Sequence, residues 1–274
     1  MKPILVINDH SPQAEHAARM ALLMAQRLHA DLLLANCHAY EWQMLEKAVA
    51  GSFNKDTGYH HYENDLRDEL YRLSHTSTGF KPEISPIDLS GSSEAALAGF
   101  VMGHEVEMII CGVGPGTGSR ESHISSGSLL RKVNCPILLV PYGWRLRNIW
   151  RIYYLADLRN CRLEVVNYLA RLAAPWLADV FVANLCANGL AEMEEHYAQR
   201  FFEQRFRRHV SYPRLHFTPV AGNNVRRALE VFIEAMSADL LVLSNGCLHF
   251  DDALNGATID ELPAHLTVPL LVFP

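Results

Sequence analysis

Ile4-Leu5-Val6-Ile7 runs into Asn8-Asp9, and 148 positions later Ile152-Tyr153-Tyr154-Leu155 runs into Ala156-Asp157. The same offset relates Ala30-Asp31 to Ala178-Asp179 and Ala35-Asn36 to Ala183-Asn184. Near the two ends, Cys135-Pro136-Ile137-Leu138-Leu139-Val140 is echoed by Val268-Pro269-Leu270-Leu271-Val272-Phe273. An offset held through a strand, a helix and a second strand is the mark of an internal duplication. The chain therefore reads as two copies of one unit.

Within each copy, apolar runs alternate with amphipathic stretches, the pattern of βαβ units and a parallel sheet. In the first copy the strands are expected at 3–8, 31–37, 83–89, 108–111 and 136–140. Ser11-Pro12 reads as an N-cap followed by proline in the first helical turn. Ala17, Met20, Ala21, Met24, Ala25 and Leu28 continue at helical spacing. Leu66, Leu70 and Leu73 support a helix near 63–74, after a polar loop from Gly51 to Tyr62. Ser92 is expected to cap a helix reaching about Met102, and a helix over 126–133 precedes the fifth strand. The second copy repeats the order, with strands near 151–156, 179–186, 214–220, 239–243 and 269–273. These strands are nearly continuous apolar runs, so both sheet faces are covered by helices. The expectation is α/β: two similar doubly wound domains, 1–143 and 149–274, each a five-stranded parallel sheet, with 144–148 as linker.

Composition narrows the function classes. The 274 residues carry a net charge of −6, so no overall basic field draws nucleic acid or an anionic membrane. Arg200, Arg205, Arg207 and Arg208 lie among Glu192, Glu194, Glu195 and Glu203, the composition of a solvated helix face. The apolar run after Met1-Lys2 is too short for a signal peptide, and no span approaches the ~20 residues of a membrane helix. The cysteines (37, 111, 135, 161, 186, 247) form no CxxC pair, and a cytoplasmic, reduced setting is expected. Tyr59-His60-His61-Tyr62 and His249-Phe250-Asp251-Asp252 lack ligand spacing, so neither a metal nor a redox cofactor is expected. There is no G-x-S-x-G elbow and no Walker A lysine, so the protein is not expected to be an enzyme.

The opening strand with Asn8-Asp9-His10-Ser11 and its helix resembles the start of universal stress proteins. Asp31 to His38 is similar to their second strand, and Gly91 to the glycine after their third. Met108-Ile109-Ile110-Cys111-Gly112, Gly127-Ser128 and Val133 to Val140 resemble the family's C-terminal signature. The resemblance covers nearly the whole chain twice, as in tandem members, and implies the adenine nucleotide alpha hydrolase-like fold. Many members bind ATP through G-x2-G-x9-G-[S/T] after the fourth strand. The resemblance thus implies a site for ATP or another adenine nucleotide built from Asp9, Cys37, Gly112, Gly114, Gly116, Thr117, Gly127 and Ser128.

Glycines at a strand end let backbone N–H groups approach phosphate closely. Counted from Gly114, Thr117 takes the second glycine's place; counted from Gly112, Pro115 does and the loop is two residues too long. Arg120 could add a contact to phosphate. In the second half, Gly246 and Gly256 keep the nine-residue gap, but Leu243 replaces the first glycine and Asp251-Asp252 would face phosphate. That half is read as degenerate, with Asp157, the counterpart of Asp9, as a turn cap.

Family members usually dimerise through their last strands, so residues 136–140 and 269–273 are expected to pair antiparallel within this chain. Trp144 and Trp150 are expected to help bury that junction, and further homodimerisation stays open. Two main readings follow: a stress-response regulator with adenine nucleotide in its first half, or an interaction scaffold that binds none and acts through protein partners. A slow ATP hydrolase is a third, on fold analogy alone.

Overall fold

The computed structural model describes residues 2–37, 59–114, 124–185, 193–220, 222, 224–247, 249–254 and 256–274, with the backbone alone at 59–64. The chain forms two compact units. The first comprises Met1–Gly143 together with Ile259–Glu261; the second comprises Trp144–Thr258 and Leu262–Pro274.

In the first unit, β1 (Ile4–Asn8) leads to α1 (Pro12–Leu28), β2 (Leu32–Asn36), α2 (Tyr59–Thr76), β3 (Ile84–Asp88), α3 (Glu94–Gly103), β4 (Met108–Val113), α4 (Ser126–Leu130) and β5 (Ile137–Pro141). The strands stand in the order β3-β2-β1-β4-β5, and every pairing is parallel. The order reverses between β1 and β4, where doubly wound sheets open a crevice at the carboxyl ends of their strands. Every residue of β1 is buried, as two-sided helix cover requires.

Local chemistry explains the first turn. Ser11 is extended, and its hydroxyl accepts the Ala14 amide at 3.1 Å, with Pro12 opening α1. At α3 the cap is Ser93 rather than Ser92. Gly91 adopts a φ of +66°, open to glycine without strain, and the turn it allows has Ser92 N–H donating to the Leu89 carbonyl. The next residue, Ser93, is then extended and accepts from Ala96 N–H. Helix α2 begins at Tyr59, so the end of the expected loop, Tyr59 to Tyr62, is helical. Leu66 and Leu70 are buried as their spacing suggests, but Leu73 is exposed. Helix α4 stops at Leu130, short of 133.

The second unit repeats the plan with β6 (Arg151–Ala156), α5 (Leu163–Ala173), β7 (Asp179–Asn184), α6 (Glu195–Phe202), β8 (Leu215–Pro219), α7 (Val225–Glu234), β9 (Leu240–Ser244), α8 (Phe250–Leu254) and β10 (Leu270–Phe273). Its order is β8-β7-β6-β9-β10, again parallel throughout. Tyr153 is stacked between Phe181 and Phe232, at 4.6 and 4.7 Å between ring centres. Trp144 is buried and Trp150 is exposed.

Burial drives the Cys37, Cys111, Cys135 and Cys161 thiols up to about 12 and raises Cys247 as well. Thiolate is the reactive form, so these groups should be inert in the folded protein. Labelling with a thiol-specific disulfide reagent near pH 7 should be at least ~100-fold slower in the native than in the unfolded chain for Cys37, Cys111, Cys135 and Cys161, with Cys247 also slowed. Rapid native labelling at any of the four fully buried positions would contradict it.

Candidate functional site

At the carboxyl ends of β1 and β4 lies a small cavity lined by Ile7, Asp9, Ala14, Cys111, Gly112, Val113, Ile124, Ser126 and Asp260. Three of the expected site residues, Asp9, Gly112 and Cys37, lie at or next to this sheet end. A β-carbon on Gly112 would stand 2.1 Å from the Gln13 carbonyl oxygen and 2.8 Å from the Ala14 nitrogen. The glycine is thus required by the first turn of α1, which lies directly on β4, whatever else occupies the cavity.

Asp9 closes an Asx turn. Its Oδ1 accepts the Ser11 amide at 3.1 Å and the Ser11 hydroxyl at 2.5 Å, while that hydroxyl caps α1. Asp9 therefore holds the β1–α1 corner and also presents its side chain to the cavity wall. Cys37 is buried, and its amide donates to the Asn8 carbonyl at 2.8 Å, which closes the end of β2 on β1. Its thiol is pushed up to about 12, first by burial and then by Asp9 and Asp88. Gly114 is buried just past β4. Gly116, Thr117 and Arg120 lie outside the described residues.

The entry to α4 is where phosphate is expected to meet Gly127-Ser128, and two carboxylates already use its donors. Asp260 Oδ2 accepts the Ser125 hydroxyl at 2.7 Å, and its Oδ1 accepts the Ser126 amide at 2.5 Å. Glu94 accepts the Ser125 amide at 3.1 Å, the Ser128 hydroxyl, and the Lys132 ammonium at 2.6 Å. A β-carbon on Gly127 would meet the Ile259 side chain at 3.6 Å, ordinary van der Waals distance. Among the described residues, the Ser125 and Ser126 amides and the Ser125 and Ser128 hydroxyls at this end of the unit thus donate to Asp260 and Glu94.

Partial burial alone would raise the Glu94 carboxyl, but Lys132, Ser128 and the Ser125 amide together hold it down to about 2. A depressed carboxylate stabilises the fold above its unfolded value of about 4.5 and loses that contribution as pH falls toward about 2. Urea unfolding of wild type and Glu94→Gln should therefore show a wild-type lead that shrinks as pH is lowered from about 6 to 3. A lead that does not change with pH would mean that the contact carries no charge.

In the second unit, described side chains at the equivalent sheet end hydrogen-bond within the chain. Asp157 is buried and accepts from Arg159, from its amide at 3.0 Å and its guanidinium Nε at 2.8 Å. Tyr154, in the place of Val6, hydrogen-bonds Ser244 at 3.1 Å, and His249 bonds the Leu185 carbonyl at 2.8 Å through Nε2. Asp251 and Asp252 are exposed on α8. Among the described residues, no group of three or more His, Cys, Asp or Glu could hold a metal ion, and no helix is long and apolar enough to cross a membrane.

The model of the universal stress protein family matches residues 1–141. No curated protein matches this sequence. Among solved structures, a universal stress protein from Archaeoglobus fulgidus DSM 4304 is 12% identical, with a TM-score of 0.65, and the match covers 99% of this chain and 97% of that one. A functionally unknown protein from Pseudomonas aeruginosa PAO1 is 16% identical with a TM-score of 0.52, covering 100% and 92%. The cytoplasmic domain of a prokaryotic cation chloride cotransporter is 11% identical with a TM-score of 0.52, covering 99% and 94%. At these identities the likeness is one of fold, and the cotransporter domain illustrates that this fold is not tied to one task. The family match takes in more than half of the 274 residues, and the two units fit a tandem arrangement: the chain belongs to the universal stress protein family.

Proposed function

We propose that this chain is a regulatory stress-response protein that acts through contacts with other macromolecules and holds an adenine nucleotide in neither unit. The observation that carries the reading is Asp260. Its carboxylate uses the Ser125 and Ser126 donors and adds negative charge to a cavity already lined by Asp9. Like charges in a partly dry site repel strongly, so an anionic phosphate is disfavoured there. In the second unit the Asp157–Arg159 pair and the Tyr154–Ser244 contact support the same conclusion. The test is calorimetric titration of MgATP into the stripped full-length protein. No heat up to millimolar ATP is expected; a nucleotide released from heat-denatured protein in stoichiometric amount would sink the reading.

The alternative is an adenine nucleotide in the first unit, favoured by Asp9 and the Cys111–Val113 strand end at one cavity. It requires the Asp260 carboxylate to leave its donors. Slow ATP hydrolysis would need the same opening, and phosphate release above a buffer control would be its sign.

A further inference from the structure

At the amino ends of the strands of the second unit, two large apolar side chains lie open. Trp150 immediately precedes β6 and is 54% exposed; Leu177 lies just before β7 and is 63% exposed. The Asp179 amide donates to the Trp150 carbonyl at 2.8 Å, so the two strand entries are neighbours. Leu177 also holds a φ of +52°, in the left-handed region that glycine or asparagine enters more readily. Neither core packing nor backbone ease accounts for leucine at that position. The first unit has the same corner with different chemistry, because the duplication places Lys2 and His29 there. Lys2 pairs with Glu105 at 3.8 Å, and His29, with a φ of +54°, stacks on Phe80 at 5.0 Å. A lone exposed leucine needs no explanation. A neighbouring tryptophan and leucine, both exposed where the other copy is polar, mark a contact surface.

The charge around the pair decides what fits it. In sheet order an Arg–Asp pair stands on each side: Arg214 holds Asp179 at 2.9 and 3.1 Å, and Arg147 holds Asp239 at 2.7 Å. Arg151 donates to the Met236 carbonyl at 2.8 Å, a contact that leaves its charge without a carboxylate. Arg147, Arg151 and Arg214 thus outnumber Asp179 and Asp239. In the first unit Glu83 holds the place of Arg214, since Ile84 pairs with Leu32 as Leu215 pairs with Val180. Arginine beside exposed tryptophan is the composition of interface hot spots, and the remaining guanidinium N–H groups suit carboxylates. A second copy would set arginine against arginine, because a two-fold contact uses the same patch twice. A nucleic acid or an anionic membrane asks for a broad basic field, which a chain of net charge −6 lacks.

We propose that the Trp150–Leu177 rim docks an acidic segment of a partner protein, whose apolar side chain covers the pair while its carboxylates meet Arg147, Arg151 and Arg214. The proposal rests on the reading of this chain as one that acts through contacts with other macromolecules, and it names the surface and the partner's chemistry.

The experiment selects a random peptide library, displayed on phage, against the full-length wild type. Enriched sequences that combine Asp or Glu with a large apolar residue are the expected result. In fluorescence anisotropy their affinity should fall at least ~tenfold in Trp150→Ser and in Leu177→Asn, and it should weaken with added salt. Both side chains are exposed and asparagine suits the left-handed backbone, so the variants keep the fold, as circular dichroism melts will show. No enrichment, enrichment of peptides without acidic residues, or acidic peptides that bind both variants as well as wild type would overturn the docking rim. Flotation with phosphatidylglycerol vesicles that is lost in Trp150→Ser would assign the rim to a membrane surface and overturn it too. Each of these results leaves the nucleotide question untouched. Binding of MgATP by the wild type instead overturns the proposed function, and the peptide comparison still decides the rim.

Discussion

Replacing Gly112 by alanine should destabilise the first unit by about 3 kcal/mol or more, the upper range for overpacking at a site that cannot yield. The added β-carbon would lie 2.1 Å from the Gln13 oxygen, 2.3 Å from the Gln13 carbonyl carbon and 2.8 Å from the Ala14 nitrogen. All three are backbone atoms, so no side-chain rotation relieves the clash. Moving α1 away from β4 would pull on Ala14, which is buried, and on the Ser11 cap hydrogen-bonded to Asp9. Gly99 is the internal control. It lies exposed in α3, where a β-carbon would meet nothing within 4 Å, and Gly99→Ala should stabilise by up to ~1 kcal/mol through helix propensity. Denaturant unfolding of the two variants should therefore shift the midpoint in opposite directions. A Gly112→Ala protein as stable as wild type would show that the close approach of α1 to β4 is not real. The outcome also bears on the family resemblance, because this glycine is demanded by packing even where no ligand binds.

Asp239→Ala should cost the second unit about 2–4 kcal/mol, chiefly because two backbone amides lose their acceptor, while the half-exposed Arg147 is screened by solvent and adds little. Asp239 is 4% exposed. Its Oδ2 accepts the Trp150 amide at 2.8 Å and the Arg151 amide at 3.1 Å, and its Oδ1 meets the Arg147 guanidinium at 2.7 Å. One carboxylate thus ties the segment before β6 to the start of β9. Alanine would leave two backbone donors without their acceptor, a desolvation cost of about 1–3 kcal/mol each where water cannot reach them. Asp239→Asn should be milder, since its amide oxygen still accepts while the charge on Arg147 goes unbalanced. Equal stability of the alanine variant and wild type in urea would refute this account. Since the chain has two units, the transition of each must be followed separately.

Much of the fold was legible because it rests on local rules. The duplicated strands and the Ser11-Pro12 helix start needed only apolar runs and cap chemistry. The misses have local causes too. Ser92 and Ser93 offer the same hydroxyl, and the Gly91 turn decides between them. Leu73 keeps helical spacing with Leu66 and Leu70 but is exposed near the C-terminal end of α2. The site was less legible for a different reason. Asp9 and Gly112 could be found from their places after strands, although their observed work is a turn and a close packing contact. Asp260 gave no signal: it sits in an irregular stretch, and its partners lie 134 and 135 residues away. Glu94 reads as an ordinary acidic residue in the first turn of a helix, and only the fold brings it to Ser125 and Ser128. Gly116 and Thr117 lie outside the described residues.

The corner after the first strand of each unit has consequences for mutational tolerance. In the first unit, Asn8 and Asn36 are buried side by side; the Asn8 side chain donates to Asn36 at 2.8 Å and accepts the His10 amide at 3.1 Å. In the second unit Ala156 stands where Asn8 stands in the first, and Asn184 accepts the Leu158 amide directly at 3.0 Å. One corner needs two amides that depend on each other, and the other needs one. A change at either Asn8 or Asn36 strands the remaining buried amide, whereas in the second unit only Asn184 is exposed to that hazard. Two copies of one plan thus present unequal targets to random substitution, and the first has twice as many ways to lose the same turn.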